Sequence, residues 1–227
     1  MRSLAVRARD EEQMDDPELD PAVYDAVLAG LGRVNRWTFA ARPTLSFLAR
    51  GTRGARSFTL LDVGFGEGGM LRTIARWARR RGLDARLTGV DLNPKSAAVA
   101  AAMTPRDMAI DYLAGDYSDL GRFDFIVSSL VAHHMSDAQL TRFLRHMEAR
   151  SDRGWLVNDL HRHPFAHAGF PLLARLLGVH RIVREDGRLS IARAFRPGEW
   201  TQILAEAGVP GQVRRYFPFR LCVERLR

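Results

Sequence analysis

Apolar positions along this chain change period several times, and each change marks an element. Val23, Val27, Leu28 and Leu31 recur at helical spacing behind Asp20-Pro21, a good N-cap and first-turn pair. Val34, Trp37 and Phe39 carry that pattern to Pro43, and residues 44–50 predict a second short helix. Thr59, Leu60, Leu61 and Val63 then follow one another without polar alternation, as in a parallel strand buried on both faces. Gly64, Gly66, Gly68 and Gly69 break the run into a turn, and residues 70–81 (MLRTIARWARRR) return to the spacing of an amphipathic helix. Further on the pattern predicts a helix from Pro94 to about Met103, strands near 110–113 and 123–129, a helix near 137–149 and a strand at 154–159. Residues 200–207 predict a helix ended by Gly208, and 213–217 with 219–224 around Pro218 predict a terminal hairpin. Alternation of this kind builds an α/β domain with a parallel sheet covered on both faces, and ligands bind at the carboxyl ends of its strands.

The glycine turn satisfies the dinucleotide spacing Gly64-x-Gly66-x-x-Gly69, which alone discriminates poorly. A pyrophosphate at the following helix N-terminus would be repelled by acids, and here Asp62 precedes the turn while Glu67 lies within it. Two acids suit a cationic ligand, and S-adenosylmethionine (SAM) carries a sulfonium and an ammonium. Asp91, at the end of the second strand, is placed to hold ribose hydroxyls.

Leu61-Asp-Val-Gly-Phe-Gly-Glu-Gly68 followed by Gly89-Val-Asp-Leu-Asn-Pro94 resembles motifs I and II of class I SAM-dependent methyltransferases. Ala114-Gly-Asp-Tyr117 is similar to the acidic motif beside the adenine, and 123–130 to the fourth strand. The resemblance covers residues 57–226. It implies a Rossmann-like, seven-stranded, mostly parallel sheet with an antiparallel C-terminal hairpin, N-terminal cap helices over 20–56 and a lid segment around 164–198. It also implies SAM as cofactor, with S-adenosylhomocysteine as product. Asp62, Gly64, Phe65, Gly66 and Gly68 would hold the methionine end, Asp91 and Leu92 the ribose and adenine, Asp116 and Tyr117 the adenine edge, and Ser128 would complete the site.

Composition narrows the picture. The 227 residues are 46% hydrophobic, enough for one cored domain. A single cysteine, Cys222, excludes an internal disulfide, and no run approaches the length of a membrane span, so a cytoplasmic protein is expected. The formal charge of +8 is almost all arginine, Lys95 being the one lysine, and Arg79-Arg80-Arg81 sits at a predicted helix C-terminus where cations favour the macrodipole. A solvated helix end is the simpler reading than a nucleic-acid footprint. The acidic stretch within residues 1–19 lacks hydrophobic periodicity and is expected to be a flexible, dispensable tail.

Methyl transfer to a phenol needs a proton acceptor, and histidine serves at neutral pH. Ser128-Ser-Leu-Val-Ala-His-His-Met135 is similar to the segment after strand four of small-molecule methyltransferases, which assigns His133 to the active-site face. In Asn158-Asp-Leu-His-Arg-His-Pro-Phe165, Asp159, His161 and His163 fall on one side of an extended chain, so Asp159 is expected to orient His161 as a second candidate base. His163 before Pro164 is a candidate helix cap. Each cluster also has a purely structural reading, as have Tyr24, Trp37 and Phe39, which either pack on the sheet or wall a pocket. Trp37, His134, Asp159, His163, Phe170 and Arg193 are the expected substrate-lining set. The apolar stretch 165–179 reads as core or as a lid, and 184–195 reads as a glycine turn with exposed polar residues. Mg²⁺ prefers oxygen ligands and the histidine-rich surroundings do not supply them, while no HxxxH or CxxC spacing appears, so no metal is expected.

The segments 158–164 and 184–195 together resemble a branch of bacterial methyltransferases encoded beside type III polyketide synthases. That resemblance implies O-methylation of a small phenolic or quinone-like metabolite by a monomer or homodimer. The alternatives are C-methylation of an activated ring, or a nucleic-acid methyltransferase or basic binding module; against the latter, Ser128-Ser-Leu-Val131 has no Asn/Asp-Pro-Pro-aromatic motif.

Overall fold

The structure is a computed structural model and describes residues 4–16 and 18–227. Seven strands, β1 (Ser57–Val63), β2 (Asp84–Asp91), β3 (Ile110–Ala114), β4 (Phe123–Ser129), β5 (Ser151–Leu160), β6 (Gln212–Tyr216) and β7 (Arg220–Leu226), form one sheet in the order β3-β2-β1-β4-β5-β7-β6. The first five are mutually parallel; β7 runs antiparallel to both β5 and β6. The strand order reverses between β1 and β4, which is where an α/β sheet opens a crevice for ligand.

Each sheet face is sealed by its own helices. Leu140, Phe143, Leu144 and Met147 of α5 (Asp137–Arg150) and Trp200, Ile203 and Leu204 of α8 (Pro197–Ala207) cover one face. Phe47 and Leu48 of α2 (Arg42–Gly51), with Leu71, Ile74 and Trp77 of α3 (Gly69–Arg80), cover the other. The apolar period of 3.6 read from the sequence is the cause, since each helix puts one stripe on the sheet. α4 (Pro94–Ala102) completes the second layer through Ala100.

A third, smaller core lies outside both layers. Val27 and Val34 of α1 (Pro21–Trp37) pack with Ala174 of α6 (Pro164–Leu176) and with Ile182 and Val183 of α7 (Arg181–Arg193). Asn158 at the end of β5 donates to Ala40 O (2.8 Å) and Thr44 Oγ1 (3.1 Å), fixing the α1–α2 corner above the sheet edge. Three helices thus roof the carboxyl ends of the central strands.

Two expectations are corrected here. Residues 184–195 hold no glycine turn: Gly187 sits inside α7, where a Cβ would stand 2.3 Å from the Phe170 ring, so glycine there buys a close helix–helix approach. Nor are the described residues 4–16 a loose tail. Arg7 lies over the Phe195 ring and donates to Arg193 O (2.6 Å), His133 O (2.9 Å) and Met135 O (2.8 Å). Buried Asp186 of α7 accepts from the backbone N–H groups of Gln13 (3.1 Å) and Met14 (2.9 Å), while Glu12 is 5% exposed. The strap is held by polar contacts to carbonyls and a carboxylate, which leave no hydrophobic period to read.

A chain beginning at Met14 lacks the Arg7 and Glu12 anchors. Hydrogen bonds to charged groups contribute about 1.5–3 kcal/mol each, and a net loss of about 2 kcal/mol lowers Tm by roughly 4–8 °C in a chain of this size. Differential scanning calorimetry checks this; an unchanged Tm would show that the strap does not contribute to stability.

Candidate active site

The turn after β1 is a row of left-handed backbone, with φ of 75° at Gly64, 55° at Gly66 and 78° at Gly68. At Gly64 a Cβ would stand 2.4 Å from Val131 Cγ2, whereas at Gly66 it would meet nothing within 4 Å. Gly66 therefore faces open space with its backbone exposed for contact. Asp91 spans from β2 to the turn, accepting from Gly66 N (2.9 Å) through one oxygen and from Asn93 N (2.9 Å) through the other.

Beneath the turn Asp62 is 1% exposed, and neither carboxyl oxygen has a hydrogen-bond partner among the described residues. Burial, and then the charge of Asp91, push its pKa up to about 8. A desolvated, unpartnered carboxyl beside a glycine cradle is the group a cationic ligand would complete, so these residues fit the ammonium of SAM. Glu67, expected to share that task, does not: its carboxylate is taken by Arg72 one turn along α3. That pairing spans the start of a helix and leaves no mark in the local sequence pattern.

Other expected cofactor residues are placed as follows. Leu92 is exposed. Asp116 caps the short turn at Tyr117–Asp119 by accepting from Ser118 N (2.8 Å), a bond that holds its carboxyl below the usual range. Ser128 Oγ donates to Val63 O (2.9 Å) and so pins β4 to β1. Two aromatic side chains have core partners: the Phe65 ring is buried against Tyr112 (5.0 Å), and the Tyr117 ring packs on Phe143 (5.0 Å) and His146 (4.8 Å). In both, an aromatic ring finds more contact in the core than over a glycine turn.

Beyond β4 a cavity of about 340 Å³ opens under the helical roof. Leu31 and Val34 of α1, Phe170 and Leu173 of α6 and Ile191 of α7 form its apolar walls, and Glu12, His133 and His134 form its polar end. Leu130, with φ of 64° at the exit of β4, lines it next to the Val131 that touches the glycine turn, so the two sites adjoin.

His133 is 2% exposed and its Nδ1 lies 2.7 Å from Asp159 Oδ1. Asp159 also accepts from the backbone N–H groups of His133 (2.8 Å) and Leu160 (2.7 Å). Burial alone would raise this carboxyl; the His133 charge and these hydrogen bonds outweigh it and hold Asp159 below the usual range. With Nδ1 donating to Asp159, His133 Nε2 becomes the acceptor nitrogen at the cavity end. His134 and Phe170 line the same cavity as expected. Arg193 is buried behind them, donating through Nε to His133 O (3.3 Å).

Asp159 therefore orients His133 and not His161. Its oxygens are claimed by the loop after β4, while His161 leaves the sheet, donating its N–H to Phe219 O (2.9 Å). His161 and His163 line a second cavity, and His163 also caps α6 through Phe165 N (3.3 Å). Trp37 is 63% exposed and lines neither cavity. The residue that sequence reasoning missed is Glu12, whose Oε1 accepts from Ser190 Oγ (2.8 Å) and stands 3.7 Å from His133 Nε2 and 3.8 Å from His134 Nε2. It is hidden in a run of acids that reads as solvated. These three side chains are the one group among the described residues with imidazole and carboxylate atoms close enough to share a metal ion, though Arg193 Nη1, 3.9 Å from the same Glu12 oxygen, opposes a cation there.

Residues 60–154 match the family described as "Methyltransferase domain". No curated protein sequence matches the chain. Among solved structures, the plantazolicin methyltransferase bound to a desmethyl-plantazolicin analogue and S-adenosylhomocysteine is similar at 14% identity and TM-score 0.68, covering 92% of each chain. The magnesium protoporphyrin IX methyltransferase of Synechocystis PCC 6803, with SAM bound, is 13% identical at TM-score 0.55, covering 95% of this chain and 88% of its own. Human N-acetylserotonin methyltransferase, also with SAM, is 16% identical at TM-score 0.60, covering 93% of this chain and 59% of its own. At these identities the structures establish the shared Rossmann-like fold. No described helix is long and apolar enough to cross a membrane. Residues 60–154 thus carry the similarity to a methyltransferase domain, and the glycine cradle with its unpartnered buried acid, which lies inside that stretch, fits SAM as the cofactor.

Proposed function

We propose that the enzyme methylates an oxygen of a small, mostly apolar aromatic acceptor, phenolic or quinone-like and of polyketide type, and that His133 takes the acceptor's proton. The observation that carries this reading is the Asp159–His133 pair, 2.7 Å apart, opening on an apolar cavity beside the glycine turn. A cavity of about 340 Å³ is at the small end of ligand pockets, which suits a compact ring system and excludes a nucleic-acid strand. The names of the similar structures, which refer to magnesium protoporphyrin IX, plantazolicin and N-acetylserotonin, lend support to a small-molecule acceptor.

SAM, when bound, supplies an already activated methyl group, so the chain's own task is to align the acceptor, exclude water and hold a proton. Asp62 would meet the ammonium, the Gly64–Gly68 turn would approach through its backbone, and Asp91 would present its carboxylate to the ribose. α6 and α7, the segment read as a lid, keep water from the cavity through Phe170, Leu173 and Ile191. His133 accepts the hydroxyl proton at Nε2, and the Asp159 carboxylate stabilises the imidazolium that forms. C-methylation of an activated ring would use the same base, and NMR of the product separates the two.

His133→Ala is expected to lower the single-turnover rate by ~10²–10⁴ with SAM affinity nearly intact. A rate within about threefold of wild type would remove His133 as the base. Asp62 gives a pH test. In the free protein it carries a proton below pH 8, and pairing with an ammonium requires the ionised form. SAM binding at pH 7 should therefore release a proton, read by calorimetry in buffers of different ionisation enthalpy, and affinity should rise with pH and level off above about 8.

Stability runs the other way. The folded pKa lies above the ordinary 3.8, so the free protein loses stability as pH rises from 3.8 toward 8. Asp62→Asn removes that loss: its Tm relative to wild type should climb over this interval while SAM affinity falls at least tenfold. A Tm difference independent of pH would show that Asp62 is not a buried, raised carboxyl.

A further inference from the structure

The second histidine cluster is left over from this chemistry, and its surroundings have a single sign. His161 and His163, Arg162, Arg196, Arg215 and Arg220 line a cavity of about 560 Å³, and none of the residues lining it is acidic. They come from four places in the chain: the end of β5, the cap of α8, the edge strand β6 and the start of β7. The Glu199 carboxylate beside it is turned to other work, accepting from Arg162 Nη2 and from Arg196 N (2.7 Å) at the start of α8.

Two of the arginines are buried with hydrogen-bonding capacity unused. Arg162 is 1% exposed and Arg220 2%, and Arg162 Nε and Arg220 Nη1 have no hydrogen-bond partner among the described residues. Uncompensated guanidinium N–H groups are costly in a protein interior. His161 responds to the same field: burial, followed by His163, Arg215, Arg196 and Arg162, all hold its imidazole below the ordinary value. Chance accumulation of surface arginine would leave these groups dispersed in water, whereas here they converge on one concavity from separate elements.

We propose that this cavity is a binding site for a compact oxyanion, the phosphate or carboxylate group of a small molecule, held by Arg196, Arg215 and His163 at its rim and by the field of Arg162 and Arg220 beneath. Guanidinium forks match such groups in a bidentate manner, and the aromatic rings of Tyr216 and Phe219 flank the site. Phe219 and Arg220 also line the acceptor cavity. The anion therefore has two sources, an acidic arm of the acceptor reaching past Phe219 or a separate small anion.

Isothermal titration of the full-length protein with inorganic phosphate and with pyrophosphate, at fixed ionic strength near 0.15 M, reads the site without turnover, so its outcome is independent of the methylation reading. One-to-one binding in the micromolar to low-millimolar range is expected, weakened at least tenfold in Arg196→Ala/Arg215→Ala, with SAM binding by the double variant as the check of its fold. Should the double variant misfold, His163→Gln at the rim is expected to weaken pyrophosphate binding at least threefold. Kinetics against an acidic acceptor and its methyl ester then separate the sources. Phosphate that raises KM for the acid alone identifies the acceptor's arm, and phosphate that leaves both KM values alone identifies a separate anion. Dissociation constants above 10 mM for both anions, or affinities unchanged in folded variants, would overturn the proposal.

Discussion

A single buried carboxylate, that of Asp159, decides how the centre of this molecule is arranged. It stands at the end of β5 and binds the N–H of Leu160, the N–H of His133 and the ring of His133. Three separate features hang on it: the path of the chain after β4, the orientation of the buried His133 imidazole at the acceptor cavity, and the ring nitrogen left open as acceptor. Charge-assisted hydrogen bonds of this kind are about twice as strong as neutral ones. In the protein interior they hold the carboxylate in place because both of its oxygens find donors.

The roof follows from the same economy. An α/β sheet covered on both faces does not of itself close the crevice at its carboxyl edge, and α1, α6 and α7 do so with a small apolar core of their own. That core is thin, and polar ties supplement it. Arg7 reaches the carbonyls of His133, Met135 and Arg193, so the strap bridges the loop after β4 and the end of α7. Glu12 is thereby delivered into the acceptor cavity from more than a hundred residues away in sequence. The strap is at once a stabilising element and a wall of the site.

Most of the fold was legible in the sequence, because strands and helices that bury one face declare it by period: β1, the glycine turn, α3 and the C-terminal hairpin stand close to where the pattern put them. Asp62 and Asp91 were legible as well, being fixed by position relative to the turn. What escaped was whatever depends on a partner distant in sequence. The Arg72 that pairs with Glu67, the core rings that Phe65 and Tyr117 pack against, and the choice of His133 over His161 by Asp159 all lie outside local pattern, since period two is a rule for strands and β5 ends at Leu160. Glu12 and Asp186 form the clearest case, since neither lies in a motif and each has meaning only through the strap.

Arg220 shows why the two cavities are kept as neighbours. It is 2% exposed at the start of β7, opposite Leu160 in the sheet register, and burial lowers its pKa while the charge of Asp159 works against that shift. A guanidinium in such a place stays charged because its ordinary pKa lies far above neutrality, so even lowered by burial it keeps its proton. The Asp159 charge offsets part of what burial costs Arg220. The negative charge of Asp159 orients His133, and the positive charge of Arg220 contributes to the field of the arginine-lined cavity. Two desolvated charges at the β5–β7 seam thus serve different cavities, Asp159 holding the ring of His133 and Arg220 lining the arginine-rich one.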